Sequence, residues 1–335
     1  MWYFSPMANY FDWVQRVTEN FLTSKKAKRA ATVAQKRTFK SELLSWLDAI
    51  VFAVIFVLLI NQYLFQLFMI PSPSMVETLL IKDRVFVSKN SYGLELYPGG
   101  KKIFERINPI RDEVIVFYNP QYISKGPVFD ILSQIIYMGT FSLVNIDLDE
   151  SGNMRERLYV KRAALLSGET GFFNNGKLYF KGEGESTVYD EQSFRQNNNL
   201  STAPHQSLDK ELYPAINAYG SLLAYQELNM GDSAPKHLLQ TYQKIAAYSA
   251  SVDFYQIEKS KARSLSQIKP DDLELRSEKA HYNKGIYVPA NHILPLGDNR
   301  DNSQDGRYFG PVSYKEIIGK VKFRFWPLKR MGKVL

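Results

Sequence analysis

The longest apolar stretch, Ala49–Ile70, constrains this chain most, and its first half, Ala49–Ile60 (AIVFAVIFVLLI), is unbroken. At 1.5 Å per residue a helix over this run spans about 33 Å, close to the ~30 Å hydrocarbon core of a bilayer. A helix buried in a soluble core is the alternative. Such a helix usually carries a polar stripe, and none is visible over Ala49–Ile60. A cleaved signal peptide fits worse, because the run is too long, begins after 48 residues and is followed by no A-x-A. A single retained transmembrane anchor is expected at 49–70. Lys25, Lys26, Lys28, Arg29, Lys36, Arg37 and Lys40 precede it without an acid, whereas the twenty residues after it hold only Lys82, Arg84 and Lys89. The positive-inside rule then keeps segment 1–48 in the cytoplasm and exports the chain beyond Pro71. Residues 1–22 mix Trp2, Tyr3, Phe4, Tyr10, Phe11, Trp13 and Phe21 with Asp12, Arg16 and Glu19. That mixture suits a helix lying in the membrane interface better than a second span.

Composition excludes several function classes. Apolar residues at 45% and charged residues at 23% mark a folded chain, and 335 residues allow two domains or one with an insertion. The net charge of +8 comes from segment 25–40 and from 315–335, which holds seven basic residues and one acid. The body between them is mildly acidic. Nucleic acid is not an expected partner, since the basic residues are not interleaved with aromatics on a folded face. Without cysteine the chain has no disulfide, no thiolate metal site and no cysteine nucleophile. His205, His237, His281 and His292 lie far apart with no H-E-x-x-H pair. No metal and no cofactor are expected.

Beyond the anchor the pattern turns to short β-branched and aromatic runs: Arg84–Lys89, Glu113–Tyr118, Arg157–Ala163, Lys177–Phe180 and Val321–Phe325. Turn signals separate them, among them Pro98-Gly99-Gly100, Asn119-Pro120 and Asn175-Gly176. Helices do not alternate regularly with these strands, so an all-β body with long loops is expected rather than a doubly wound parallel sheet. Residues 208–260 differ. Leu208, Leu212, Ile216, Tyr219 and Leu223, then Leu238, Tyr242, Ile245, Ser249 and Val252, recur at spacings of three and four. Two amphipathic helices joined near Gly231–Pro235 are expected. They would form an insertion at 201–280 between two parts of the β body, 71–200 and 281–335, packed on that body but apart from its active site.

Three segments carry chemistry: Ile70-Pro71-Ser72-Pro73-Ser74-Met75, Tyr159-Val160-Lys161-Arg162-Ala163, and Gly297-Asp298-Asn299-Arg300-Asp301-Asn302-Ser303-Gln304-Asp305-Gly306-Arg307. Alone, each has an ordinary reading. Ser72 and Ser74 would be turn serines beside prolines. Lys161 would be a solvated strand lysine, although Val160 and Ala163–Leu166 suggest a buried strand. The third would be a turn or a calcium loop, but no glutamate lies twelve positions along. A serine hydroxyl needs a base to act as nucleophile. No histidine is near, and a lysine can serve only if burial lowers its pKa from ~10.4.

Together, in this order and after an apolar span, the segments resemble type I signal peptidase, the bacterial leader peptidase family. The resemblance covers about 44–190 and 281–328. It implies a mainly β, signal-peptidase-like body behind an N-terminal transmembrane helix, here with a helical insertion. It implies Ser74 as nucleophile, Lys161 as general base, Ser72 at the oxyanion hole and Ser303 orienting the amine. It further implies Asp305–Arg307 as a structural ion pair and Phe68, Ile70, Pro71 and Val160 as pocket residues. The implied activity is removal of signal peptides from exported precursors, after small residues at −1 and −3. The implied place is the bacterial inner membrane, single-pass, in the lipid bilayer near the export machinery. Four positions depart from the family pattern: Pro73 for glycine, Glu77 for proline, Gly306 for serine, and Ser167 for proline in Leu166-Ser167-Gly168. Two other functions remain to be weighed. A self-cleaving repressor would need a helix-turn-helix and no anchor. A scaffold relative would have lost catalysis and recruit partners through the insertion.

Overall fold

The computed structural model describes residues 5–34, 39–103, 108–140, 144–200, 208–246 and 252–334. Trp2–Phe4, Lys36, Arg37, His205 and Ser249, together with the expected start of the insertion at 201–207, lie outside the described residues. The chain divides into two units, Met1–Val57 and Leu58–Leu335.

The first unit holds α1 (Ser5–Ala34) and most of α2 (Phe39–Tyr63). Within α2, Glu42–Tyr63 is by length and composition able to cross a membrane, and none of its apolar window is buried within the protein. The helix ends seven residues short of the expected 70. Gln62 Nε2 donates to the Glu95 carbonyl at 3.0 Å and the Tyr63 hydroxyl to that of Leu96 at 3.0 Å. The remainder of the apolar run, Phe65–Met69, is strand β1, paired with β2 (Arg84–Ser88) from Phe65↔Ser88 to Met69↔Arg84. The polar residues Asn61, Gln62 and Gln66 break the helical apolar surface there, and the ladder with β2 takes up the backbone hydrogen bonds instead.

The second unit continues with β3 (Leu94–Glu95), β4 (Lys102–Ile103), β5 (Val114–Tyr118), α3 (Pro127–Gly139), β6 (Leu158–Leu165), β7 (Glu169–Asn174) and β8 (Lys177–Gly182). Next come β9 (Tyr189–Asp190) and α4 (Glu191–Asn197), and then four helices: α5 (Tyr213–Glu227), α6 (Lys236–Ala246), α7 (Phe254–Ile268) and α8 (Leu273–Lys284). The chain closes with β10 (Ile286–Tyr287), β11 (His292–Leu296), α9 (Gly306–Phe309), β12 (Val312–Ser313), β13 (Ile317–Trp326) and β14 (Gly332–Lys333).

The main sheet runs β1-β2-β13-β5-β6-β11-β12, with β14 on β13, and a second sheet runs β10-β7-β8-β9. All pairings are antiparallel. A mainly β body follows. The Asn175-Gly176 signal makes the two-residue turn between β7 and β8, with both residues at positive φ (48° and 71°), as such hairpin turns require. The sheet carries the site because β5 and β6 are buried on both faces: four of five residues in β5 and six of eight in β6 are buried. Ile70, Met75, Leu79, Val85, Val87, Val114, Val116, Val321 and Val334 form one core, with Phe68 and Val160 against it.

Helical periodicity around 208–252 marks real helices, but their number and extent differ from expectation. Four helices run on to Lys284, where two ending near 260 were expected. The periodic residues Leu208, Leu212, Ile216, Tyr219, Leu223, Tyr242, Ile245 and Val252 do form a common core, joined by Tyr213, Ala215 and Ile257. Gly220 on α5 has no room for a side chain, since a Cβ there would strike the Ile257 carbonyl of α7.

Candidate active site

The turn that carries Ser74 is shaped by its prolines. Pro73 is the first residue of a 3-10 turn, Pro73–Met75, where its missing N–H costs nothing. It holds Ser72 extended (φ −126°, ψ 159°), as a residue before proline must be. The glycine-to-proline departure is thus accommodated with both serines facing each other, Ser72 Oγ 3.3 Å from Ser74 Oγ. Asn299 grips the same turn: its N–H donates to the Ser74 carbonyl (3.0 Å) and its Nδ2 to that of Pro73 (3.2 Å).

Lys161 arrives from β6, opposite Ile115 of β5, and is 3% exposed. Its Nζ lies 2.8 Å from Ser74 Oγ. Burial pushes the amine down to about 8; the nearby Asp305, Glu156 and Asp298 oppose that shift, and Arg307 adds to it. An amine with that pKa exchanges protons near neutral pH, which an exposed lysine does not.

Asp305 and Arg307 are paired, with Arg307 Nε 2.9 Å from Asp305 Oδ1. Asp305 also accepts from the Gly297 N–H (2.9 Å), and Arg307 Nη2 donates to the carbonyls of Arg300 (2.6 Å) and Ser303 (3.3 Å). Ser303 is buried beside Gly297, whose missing Cβ would otherwise strike Ser303 Oγ and lie 2.6 Å from the Ser74 carbonyl oxygen. The Ser303 hydroxyl has no hydrogen-bond partner among the described residues, so the bond to the amine implied by the resemblance is not formed here. Phe68, Ile70 and Val160 share a core with Met75, the neighbour of Ser74, whereas Pro71 stands exposed at its rim.

The sequence did not single out the pair that holds this strand in place. Arg162, next to Lys161, is fully buried and clasps Asp298 with two hydrogen bonds, Nε to Oδ1 (2.8 Å) and Nη2 to Oδ2 (2.7 Å). Thr78 Oγ1 adds a third at 2.6 Å. Opposite charges at the two motif positions were the available signal. The three aspartates of the last motif diverge: Asp298 to Arg162, Asp301 to the N–H of Leu208, and Asp305 to Arg307. That is not the converging set of a calcium loop.

Two other departures have local causes. Ser167 donates to the His292 carbonyl (2.9 Å). Gly306 faces Leu294 Cδ1 and the Pro295 carbonyl, both 2.8 Å from where a Cβ would sit. Pro295 occupies an irregularity in the β11–β6 ladder, which fixes that carbonyl. Gly306→Ser, restoring the family's usual residue, is therefore expected to destabilise this protein by about 1–3 kcal/mol. Urea unfolding measures it, and an unchanged midpoint would show that Leu294 yields freely.

A buried lysine thus lies against a serine hydroxyl within an antiparallel β body. The sequence profile of the family described as "Signal peptidase, peptidase S26" matches residues 43–326, and the chain belongs to that family. Among curated relatives, signal peptidase I of Helicobacter pylori strain J99 is 26% identical over 303 residues, covering 85% of this chain and 81% of the relative. Signal peptidase I of Haemophilus influenzae is 26% identical, covering 87% and 70%. That of Buchnera aphidicola is 23% identical, covering 99% and 96%. The chain is accordingly a signal-peptide-removing serine protease that carries, among the described residues, a helix long and apolar enough to cross a membrane.

Proposed function

We propose that the protein removes N-terminal signal peptides from exported precursors with a Ser74–Lys161 dyad. The 2.8 Å contact between a buried lysine and a serine hydroxyl carries this reading. The neutral amine of Lys161 takes the Ser74 proton as Oγ attacks the scissile carbonyl. The Ser72 hydroxyl, with the N–H of Ser74, stabilises the oxyanion. The ammonium of Lys161 then protonates the departing amine, and the same lysine activates the water that releases the acyl group. Ser303 serves the amine once its hydroxyl turns toward Nζ. The precursor lies as an added strand beside the catalytic strands. Phe68, Ile70, Pro71 and Val160 line shallow sites that admit small side chains at −1 and −3. The Asp305–Arg307 pair supports the dyad from behind.

The N-terminus lies in the cytoplasm and the β body on the far side of the inner membrane, near the export machinery. The basic residues ahead of α2 support this orientation. Full-length protein in detergent should cleave a precursor ending in alanine at −1 and −3, and Ser74→Ala should not. Protease added outside spheroplasts should digest the chain beyond Pro71 and spare residues 1–40. Cleavage by Ser74→Ala, or the opposite protection pattern, overturns the respective part. The intact Ser74–Lys161 contact favours this reading over a scaffold role.

A further inference from the structure

The insertion was expected to stay apart from the active site, yet it reaches the third catalytic segment through buried polar contacts in both directions. Asp301 of that segment accepts from the Leu208 N–H (2.9 Å) and faces the Tyr213 hydroxyl (3.3 Å). Asp253 of the insertion, at the N-cap of α7, faces the same hydroxyl (3.2 Å) and lies 3.9 Å from Arg307 Nη1. Tyr213, Asp253 and Asp301 are each no more than 3% exposed. Tyr213 has one hydroxyl hydrogen for two buried carboxylates. Asp253 also accepts from the Gln256 N–H (3.1 Å) and faces the charge of Arg307.

Arg307 is the hub. Its Nε and Nη2 hold Asp305 and the carbonyls of Arg300 and Ser303, and Nη1 turns to Asp253. The rings of Phe173, Tyr255 and Tyr308 surround it, with Tyr255 supplied by α7. Asp305 in turn places its negative charge toward Lys161. A guanidinium without its fourth partner would be a buried charge incompletely paired, free to draw Asp305 and Ser303 out of register.

We propose that Tyr213 and Asp253 are positioning residues for the Lys161 base. By holding Asp301 and Arg307 they fix Asp305 and Ser303 around the amine, so the helical insertion is a working part of the catalytic centre. This inference rests on the dyad reading and adds a chain-specific support to it.

The test compares kcat and KM of full-length variants in detergent micelles on a synthetic precursor peptide. Tyr213→Phe removes a single oxygen, and Asp253→Asn keeps a side chain able to cap α7 while removing the charge. Each is expected to lower kcat about tenfold with KM unchanged, and the double variant to fall little further, since both act through one network. Lys261→Met is the control. Its amine pairs with the half-exposed Glu227 and Glu258 at the outer side of the insertion, and kcat should not move.

A merely structural role would lower the melting temperature and leave kcat per folded molecule intact. That result, or wild-type kcat in folded Tyr213→Phe and Asp253→Asn, overturns the proposal. A rise in KM alone also overturns it, placing the insertion in substrate binding. If Asp253→Asn does not fold, Tyr213→Phe decides, because its ring packing is retained. Lys161→Ala, assayed alongside, separates the two readings: an active Lys161→Ala sinks the dyad, whereas an inactive Lys161→Ala beside fully active insertion variants sinks only the positioning role.

Discussion

Ser74→Ala and Lys161→Ala are each expected to cut kcat on a precursor by about 10⁴-fold or more, and the double variant to be no slower than either. The two side chains meet at 2.8 Å, and on the proposed mechanism removing either removes the whole unit. Lys161→Arg is expected to fail as badly, because a guanidinium with a pKa above ~12 does not release its proton. Ser303→Ala should cost less, since its hydroxyl hydrogen-bonds neither reacting group here. The pH profile carries the sign of the mechanism. A lysine acts as a base only when neutral, and burial lowers the pKa of Lys161 to about 8. The rate should therefore rise with pH and level off above that value, well below the ~10.4 of free lysine. A profile flat from pH 6 to 10, or full activity in Lys161→Ala, would remove lysine from the mechanism.

The largest stability effect is expected at Asp298. Asp298→Ala leaves the fully buried Arg162 without its clasp and should cost about 3–5 kcal/mol, read from urea unfolding. Replacing both partners by apolar residues should recover much of that loss, because an unpaired buried charge dominates the cost. The pH dependence follows from the carboxyl itself. Burial alone would raise its pKa, but the Arg162 hydrogen bonds and charge, with Thr78, outweigh burial and hold it below the usual range. Its contribution is fully present above the unfolded value of ~3.9 and is lost as pH falls through the lower folded one. A loss of under 1 kcal/mol in Asp298→Ala would show that Asp112, 3.5 Å from Arg162, suffices alone.

Gly306 shows why a family comparison needs coordinates. In sequence it is a missing serine. In space Leu294 and the carbonyl of Pro295 leave no room for a Cβ, so the departure belongs to local packing rather than to chemistry. Pro73 likewise looks disruptive in sequence, yet Ser72 adopts the extended backbone that proline demands and still faces Ser74.

The sequence by itself determined the features that depend on local order: an apolar run long enough for a bilayer, alternation that makes strands, the Asn175-Gly176 turn, and three segments whose order resembles type I signal peptidase. Periodicity likewise exposed the helical core around Ile216 and Tyr242, because side chains three and four apart share a helix face. Only the tertiary structure decided where the apolar run changes from helix to strand, since β1 exists through its pairing with β2. It alone gave Arg162 to Asp298, 136 residues away, and brought Asp253 and Tyr213 to the catalytic segment. Such pairs leave no periodic trace in a sequence. A charge is assigned its partner by burial, and burial is a property of the whole fold.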